Sequence, residues 1–460
     1  MSDATWKSRA RMLNQECVTP SMDRAAFHAR LDSESRTPGL HRALLLRQPD
    51  LVAAAPVFVS RVDLDRIGAL IRAVESVVQM EVFEREAMRD APPIARHRFG
   101  PRGVFFGYDF HLSEAGPQLI EINTNAGGAF MNLVLAQSQR VCCEVMAQMM
   151  LGAARVEQLE EAFLTMFREE WRRQRGEVPL RTIAIVDDYP TEQFLYGEFL
   201  LCQAMFHRAG YDARVLAPQT LIEHGGRLFD GETAIDLVYN RLTDFHLEQA
   251  GNIALRSAYE AGGVVVTPHP RAHAMYADKR LLELLSDGEW LARNEVPDST
   301  RETLLAGIPR TEVLDATSRT RLWHDRAALF FKPVRGFGSV DVHRGDELSD
   351  EMWTAMCDGE FVAQRLVPPG TRTLDVAGEP VLLKVDLRAY AYEGEVQLVA
   401  ARLYQGQATN LRTVSGGFAP VRVEGELHDT RQFACWEECR GGRTQGDRPV
   451  GAGHQTPGKG

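Results

Sequence analysis

Asp109, Glu121 and Asn123 are the residues whose types and spacing most readily support chemistry. Residues 105–110 and 118–122 alternate or run apolar as strands do, and Ser113-Glu-Ala-Gly-Pro117 between them reads as a hairpin turn. Glu121 and Asn123 are two apart in an extended segment and share a sheet face, with Asp109 roughly opposite across the turn. Three oxygen ligands, two of them anionic, on one rigid hairpin suit Mg²⁺, which takes carboxylates together with substrate phosphates. The same pattern also describes a plain hairpin with polar residues on its wet face.

Two further constellations lie in the second half of the chain. Leu329-Phe-Phe-Lys-Pro-Val334 reads as a strand carrying one lysine, followed by the glycine-rich Arg335-Gly-Phe-Gly-Ser339. A lysine at that place can meet phosphate oxygens while backbone N–H groups of the turn cradle them. A lone Gly-x-Gly is equally the mark of an ordinary turn. Residues 383–392 alternate strictly, which puts Lys384, Asp386 and Arg388 on one face, either as a salt-bridged surface or as part of a site.

Taken together these stretches resemble the ATP-grasp ligases. Asp109, Glu121 twelve residues on and Asn123 two further, closed by a glycine-containing turn, look like the metal-binding hairpin of that superfamily. There the hairpin lies near the C-terminal end of the catalytic region, whereas here it comes first. That order is similar to the circularly permuted members, eukaryotic glutathione synthetase and glutathionylspermidine synthetase, and Ile120-Glu-Ile-Asn-Thr124 is especially close to the former. The resemblance implies ATP and Mg²⁺ as cofactors, with Asp109, Glu121 and Asn123 on the metal. It implies Lys279, Lys332, Gly336, Gly338 and Ser339 around the phosphates and Gln364 beside the adenine. Asp386-x-Arg388 is similar to a motif of the ribosomal-protein glutamate ligase and related amino-acid ligases, in which the arginine reaches the transferring phosphate; this makes Arg388 the catalytic candidate. Residues 409–417 resemble the Asn…Gly-Gly loop of the same enzymes, which makes Asn410 and Arg412 contacts for an acyl phosphate or a substrate carboxylate. Two departures matter. Gly336 stands where glutathione synthetase carries a metal-binding glutamate, and Gly107 stands where glutathionylspermidine synthetase carries an arginine, whose role must move to Arg388 or be absent.

The elements that must position these residues follow from the rest of the chain. The expected architecture is α/β (α+β), an ATP-grasp fold in circularly permuted order with an inserted parallel α/β domain. Residues 1–95 read as mainly helical, with a 3.6-residue apolar period over 63–78, and 96–175 as the metal-binding part plus amphipathic helices. Residues 181–270 alternate strands with helices, the rhythm of a parallel sheet, with Asp187-Asp188 and Asn240-Arg241 at strand C-terminal ends where such sheets bind ligands. Residues 271–425 form the nucleotide-binding part, and the glycine-rich 441–460 reads as a disordered tail.

Composition bounds the function. The 460 residues are long enough for two or three domains, and 44% hydrophobic with 25% charged is ordinary for a globular protein. A net charge of −11 argues against broad nucleic-acid binding. Without an 18-residue apolar run or a signal-peptide plan no membrane partner is expected, and the cytoplasm is the default. Seven unpatterned cysteines fit a reducing compartment; Cys435, Cys439 and His428 lack the spacing and the fourth ligand of a zinc site. The expected reaction is ATP-dependent joining of a small-molecule carboxylate to an amine through an acyl phosphate, a homodimer being compatible with it. The alternatives are a nucleotide-binding protein without ligase activity and a small-molecule kinase on the same fold.

Overall fold

The computed structural model describes residues 3–16, 24–53, 55–138, 153–336, 341–376 and 378–424. Three sheets do most of the positioning. The largest has six strands. Gly417–Ala419, Glu395–Tyr404, Glu379–Tyr392, Phe106–Ser113 and Gly116–Asn123 lie in that order, and Gly370–Val376 pairs with the first half of Glu379–Tyr392. Hence the early hairpin is built into a sheet whose other strands come more than 240 residues later.

The second sheet is parallel, in the order Val265–Thr267, Leu237–Asn240, Thr182–Val186, Asp212–Leu216. Its central strand is buried along its whole length. Ile183 and Ile185 point into one hydrophobic core and Ala184 and Val186 into another, because alternate side chains of a strand covered on both faces feed both layers. Helices Ala153–Arg175 and Tyr196–Arg208 supply one layer and Ile253–Glu260 the other. The third sheet is antiparallel, in the order Thr311–Val313, Phe361–Arg365, Leu329–Pro333, His343–Arg344, over a small core of Leu314, Leu322, Phe331, Met356 and Ala363.

The structure differs from the sequence reading in several places. The N-terminal segment is not only helical, since Val57–Ser60 is a buried strand paired in parallel with Val421–Glu424. Ser60 then caps helix Arg61–Val78 by accepting from Asp63 N, and the helix packs its apolar stripe on the same core as the six-stranded sheet. A small antiparallel sheet, Leu221–His224, Arg227–Asp230 and Thr233–Ile235, sits between the second and third strands of the parallel unit. Within 181–270 the first helix begins at Tyr196, after a short 3₁₀ turn at Pro190–Glu192. Cys142, Cys143, Cys435, Cys439, His428 and the 441–460 tail lie outside the described residues. No helix among the described residues is long and apolar enough to cross a membrane.

Candidate active site

Register decides what the hairpin presents. Asp109 pairs directly with Glu121 and Gly107 with Asn123, so these four share one face. A bulge follows Asp109 and leaves Ile120 without an opposite residue. The carbonyl released there accepts a hydrogen bond from Lys332 Nζ at 2.8 Å. On the other side of Phe106–Ser113, Arg388 pairs with Asp109 and clasps it in bidentate fashion, Nε to Oδ1 and a terminal nitrogen to Oδ2, both at 2.7 Å. Arg402 adds a third contact at 2.9 Å and Asn123 Nδ2 a fourth at 3.0 Å. Burial pushes the Asp109 carboxyl up, but the two guanidinium groups outweigh it and hold its pKa below the ordinary value. Arg402 also donates from Nε to Asp386 at 2.6 Å, and the Thr409 hydroxyl donates to the other Asp386 oxygen.

Lys332 is 4% exposed. Its ammonium donates to Ile120 O and, at 2.8 Å, to Gln364 Oε1; the Gln364 amide in turn donates to Thr311 at 3.1 Å. Burial lowers the Lys332 pKa to about 8, with Glu121 opposing the shift and Lys279 reinforcing it. Lys279 Nζ donates to Gly336 O at 2.7 Å. Lys332 is therefore linked to the hairpin directly and Gln364 through it, while Lys279, bonded to Gly336, lies near enough for its charge to act on Lys332. Gly338 and Ser339 lie outside the described residues. Asn410 and Arg412 are exposed on the rim; Asn410 Oδ1 accepts from Arg412 N at 2.8 Å, and the Arg412 guanidinium lies 5.3 Å from the Phe194 ring centre. Their loop joins the cluster through the contact of Thr409 with Asp386.

The sequence reading did not single out Arg402 or Thr311. An arginine inside the otherwise apolar run 398–404 was the available signal for the first.

The turn that follows Asn123 docks on the C-terminal edge of the parallel sheet. Asn125 Nδ2 donates to the carbonyls of Arg241 at 2.7 Å and Leu242 at 3.0 Å, and Glu198 accepts from Gly128 N at 2.7 Å. Buried Arg241 reaches Ala126 O at 3.3 Å. Burial raises the Asp187 pKa to about 7 against the pull of Arg241. A cavity of about 440 Å³ opens beside Gly336, lined among others by Thr243, Phe245, His246, His273 and Arg335. Phe245 stacks on His273 at 4.3 Å, and His273 Nδ1 meets the Thr124 hydroxyl at 2.5 Å, one residue from Asn123.

The donor set can be tested for magnesium on this geometry. Asp109 has both oxygens engaged by guanidinium groups, so the three-ligand set expected from the sequence has two open members, the half-buried Glu121 carboxylate and Asn123 Oδ1. No group of three or more His, Cys, Asp or Glu placed to hold a metal occurs among the described residues. Two hard oxygen donors still fit Mg²⁺, because that ion keeps most of its shell for water and phosphate.

Comparison with known proteins gives the class of fold. No family model matches the chain, and no curated protein matches it in sequence. A glutathione synthetase-like effector from Globodera pallida, in its apo form, is similar in structure with a TM-score of 0.50 and 10% identity, over 81% of this chain and 90% of the effector. The ATP-grasp ligase PsnB, complexed with a minimal precursor, Mg and ADP, overlaps 56% of this chain and 97% of its own at 14% identity and a TM-score of 0.27. D-alanyl-alanine synthetase A from Vibrio cholerae overlaps 53% and 88% at 12% identity and a TM-score of 0.29. The fold is of the ATP-grasp type.

Proposed function

We propose that this chain is an ATP-dependent carboxylate–amine ligase built on a circularly permuted ATP-grasp fold. The observation that carries the reading is the meeting of distant parts of the chain at one place. Lys332 holds the Ile120 carbonyl and Arg388 clasps Asp109, so the early hairpin completes what the C-terminal half lacks. In this reading 96–175 furnishes the metal-binding part, 271–425 the nucleotide-binding part and 181–270 the inserted substrate-side unit, with 1–95 wrapped around them.

Phosphoryl chemistry of this kind asks the protein for positioning and charge neutralisation rather than for a nucleophile. A substrate carboxylate attacks the γ-phosphorus of ATP and ADP leaves. An amine then attacks the acyl phosphate, forming the amide and releasing phosphate and a proton. Lys332 and Lys279 grip the phosphates, and Arg388, kept charged by Asp109, neutralises the group in transfer. Glu121 and Asn123 are the residues that would hold Mg²⁺, which supplies further neutralisation of phosphate charge when bound. Arg412 and Asn410 receive a substrate carboxylate at the rim, and the cavity beside Gly336 gives the substrates room.

The test is a coupled ADP-release screen over panels of carboxylates and amines, run with Glu121→Ala in parallel. Amide formation with ADP supports the ligase. ADP with a stable phosphoester makes the chain a kinase, and ADP release indifferent to Glu121→Ala removes the metal assignment.

A further inference from the structure

Gly107 has a negative φ, so its backbone conformation does not call for glycine. Space does. A Cβ built at 107 would lie 3.1 Å from Arg388 Nε, 3.2 Å from Arg388 Cδ and 2.6 Å from Ala126 Cβ. Gly107 is two residues from Asp109 on the same face, and it pairs with Tyr390, two residues beyond Arg388 on the neighbouring strand. The Arg388 side chain therefore lies across the bare backbone of Gly107 to reach Asp109.

We infer that Gly107 is a positioning residue for Arg388: its missing side chain admits the guanidinium to the Asp109 carboxylate and so to the phosphate end of the cleft. Four residues then fix the arginine. Asp109 takes two of its nitrogens, Asn123 and Arg402 hold Asp109 in place, and Gly107 leaves the lane open. Arg402 is itself tied to Asp386, and Asp386 to Thr409 in the rim loop, so the placement of Arg388 is joined to the loop that carries Asn410 and Arg412. The inference rests on the ligase reading for the phosphate as the target of Arg388, but the steric claim stands without it.

The experiment compares binding of AMPPNP and ADP by calorimetry in the full chain, in the presence of Mg²⁺. Gly107→Ala is one variant. Gly107→Ala/Ala126→Gly is the second, since it removes the 2.6 Å contact and leaves Arg388 as the close neighbour of the new methyl. Arg388→Ala/Ala126→Gly, alone and with Gly107→Ala, completes a cycle against Ala126→Gly, in which the methyl at 126 plays no part. Losing one charge-assisted contact to the terminal phosphate weakens AMPPNP about tenfold, while ADP stays within about twofold. Because Gly107 acts through Arg388, adding Gly107→Ala to Arg388→Ala/Ala126→Gly costs nothing more. A crystal structure of the double variant that keeps Arg388 bidentate on Asp109 overturns the inference, as does an additive loss in the cycle. Wild-type protein that binds neither nucleotide removes the ligase reading instead, and the crystal structure still decides the role of Gly107.

Discussion

Lys332 illustrates how a single residue is tuned by its surroundings. Its ammonium is removed from water and held by one carbonyl, one amide oxygen and the nearby charge of Glu121, and its pKa falls from 10.5 to about 8. Folded Lys332 gives up its proton near pH 8, whereas an unfolded lysine keeps its own to about 10.5. Between those values the unfolded chain binds more protons, so this residue makes stability rise with pH across that window. If Lys332 grips phosphate as proposed, phosphate binding runs the other way because it needs the cation. ATP affinity should therefore decline as pH is raised from 7 to 9, with proton uptake on binding visible as a dependence of the calorimetric heat on the buffer. Lys332→Ala should weaken ATP by about 10- to 100-fold, the range expected for a lost charged contact, and should flatten that pH dependence. Unchanged ATP binding in this variant contradicts the assignment. Glu121 and Asn123 are half-buried, so Glu121→Ala and Asn123→Ala should lower turnover by about 100-fold or more with little change in melting temperature. A sharp fall in melting temperature for both would make them structural instead.

Among the elements, the hairpin and the strand Leu329–Pro333 are coupled by the bulge at Ile120, and Gln364 on Phe361–Arg365 braces the same lysine. Gln364→Leu keeps approximate volume but removes one of the two oxygens that hold Lys332, and it leaves the Thr311 hydroxyl without its amide donor. Such a buried loss costs about 1–3 kcal/mol, and it should appear both as a lower melting temperature and as weaker ATP binding. Wild-type values for both would show that Lys332 is held well enough by Ile120 alone. The strands themselves were legible in the sequence, since the alternation over 383–392 and the turn at 113–117 are local signals. Val57–Ser60 was not, because four residues running straight into a helix carry no period and their partner strand lies at 421–424. The hairpin residues were legible as a group, but the use made of Asp109 was not. A carboxylate on a wet hairpin face reads as a metal ligand until Arg388, 279 residues away, is found on it.

At the scale of the whole molecule, the candidate site sits where the six-stranded sheet, the four-stranded antiparallel sheet and the C-terminal edge of the parallel sheet converge. Gly128 marks the junction: it has φ 100°, and a Cβ there would fall 2.3 Å from the Phe418 ring and 2.8 Å from the Tyr390 hydroxyl. A side chain there would have to displace the Phe418 ring and the Tyr390 hydroxyl, both on the six-stranded sheet. Glu198 fastens this turn from the parallel side. It is 2% exposed, accepts from Gly128 N and Phe130 N at the start of helix Ala129–Gln137, and shares the field of Arg241. An anion at a helix N-terminus is favourable, and removing it leaves two N–H donors and a buried guanidinium short of a partner. Glu198→Ala should therefore cost about 2–4 kcal/mol. Glu198→Gln, which keeps a side-chain oxygen for one N–H, should fall between it and the wild type. Because the turn leads directly back to Asn123, turnover should drop with stability, and amide exchange should speed up first over 128–134. A Glu198→Ala protein that melts with the wild type and protects those amides equally would mean that the units are held together by apolar packing alone.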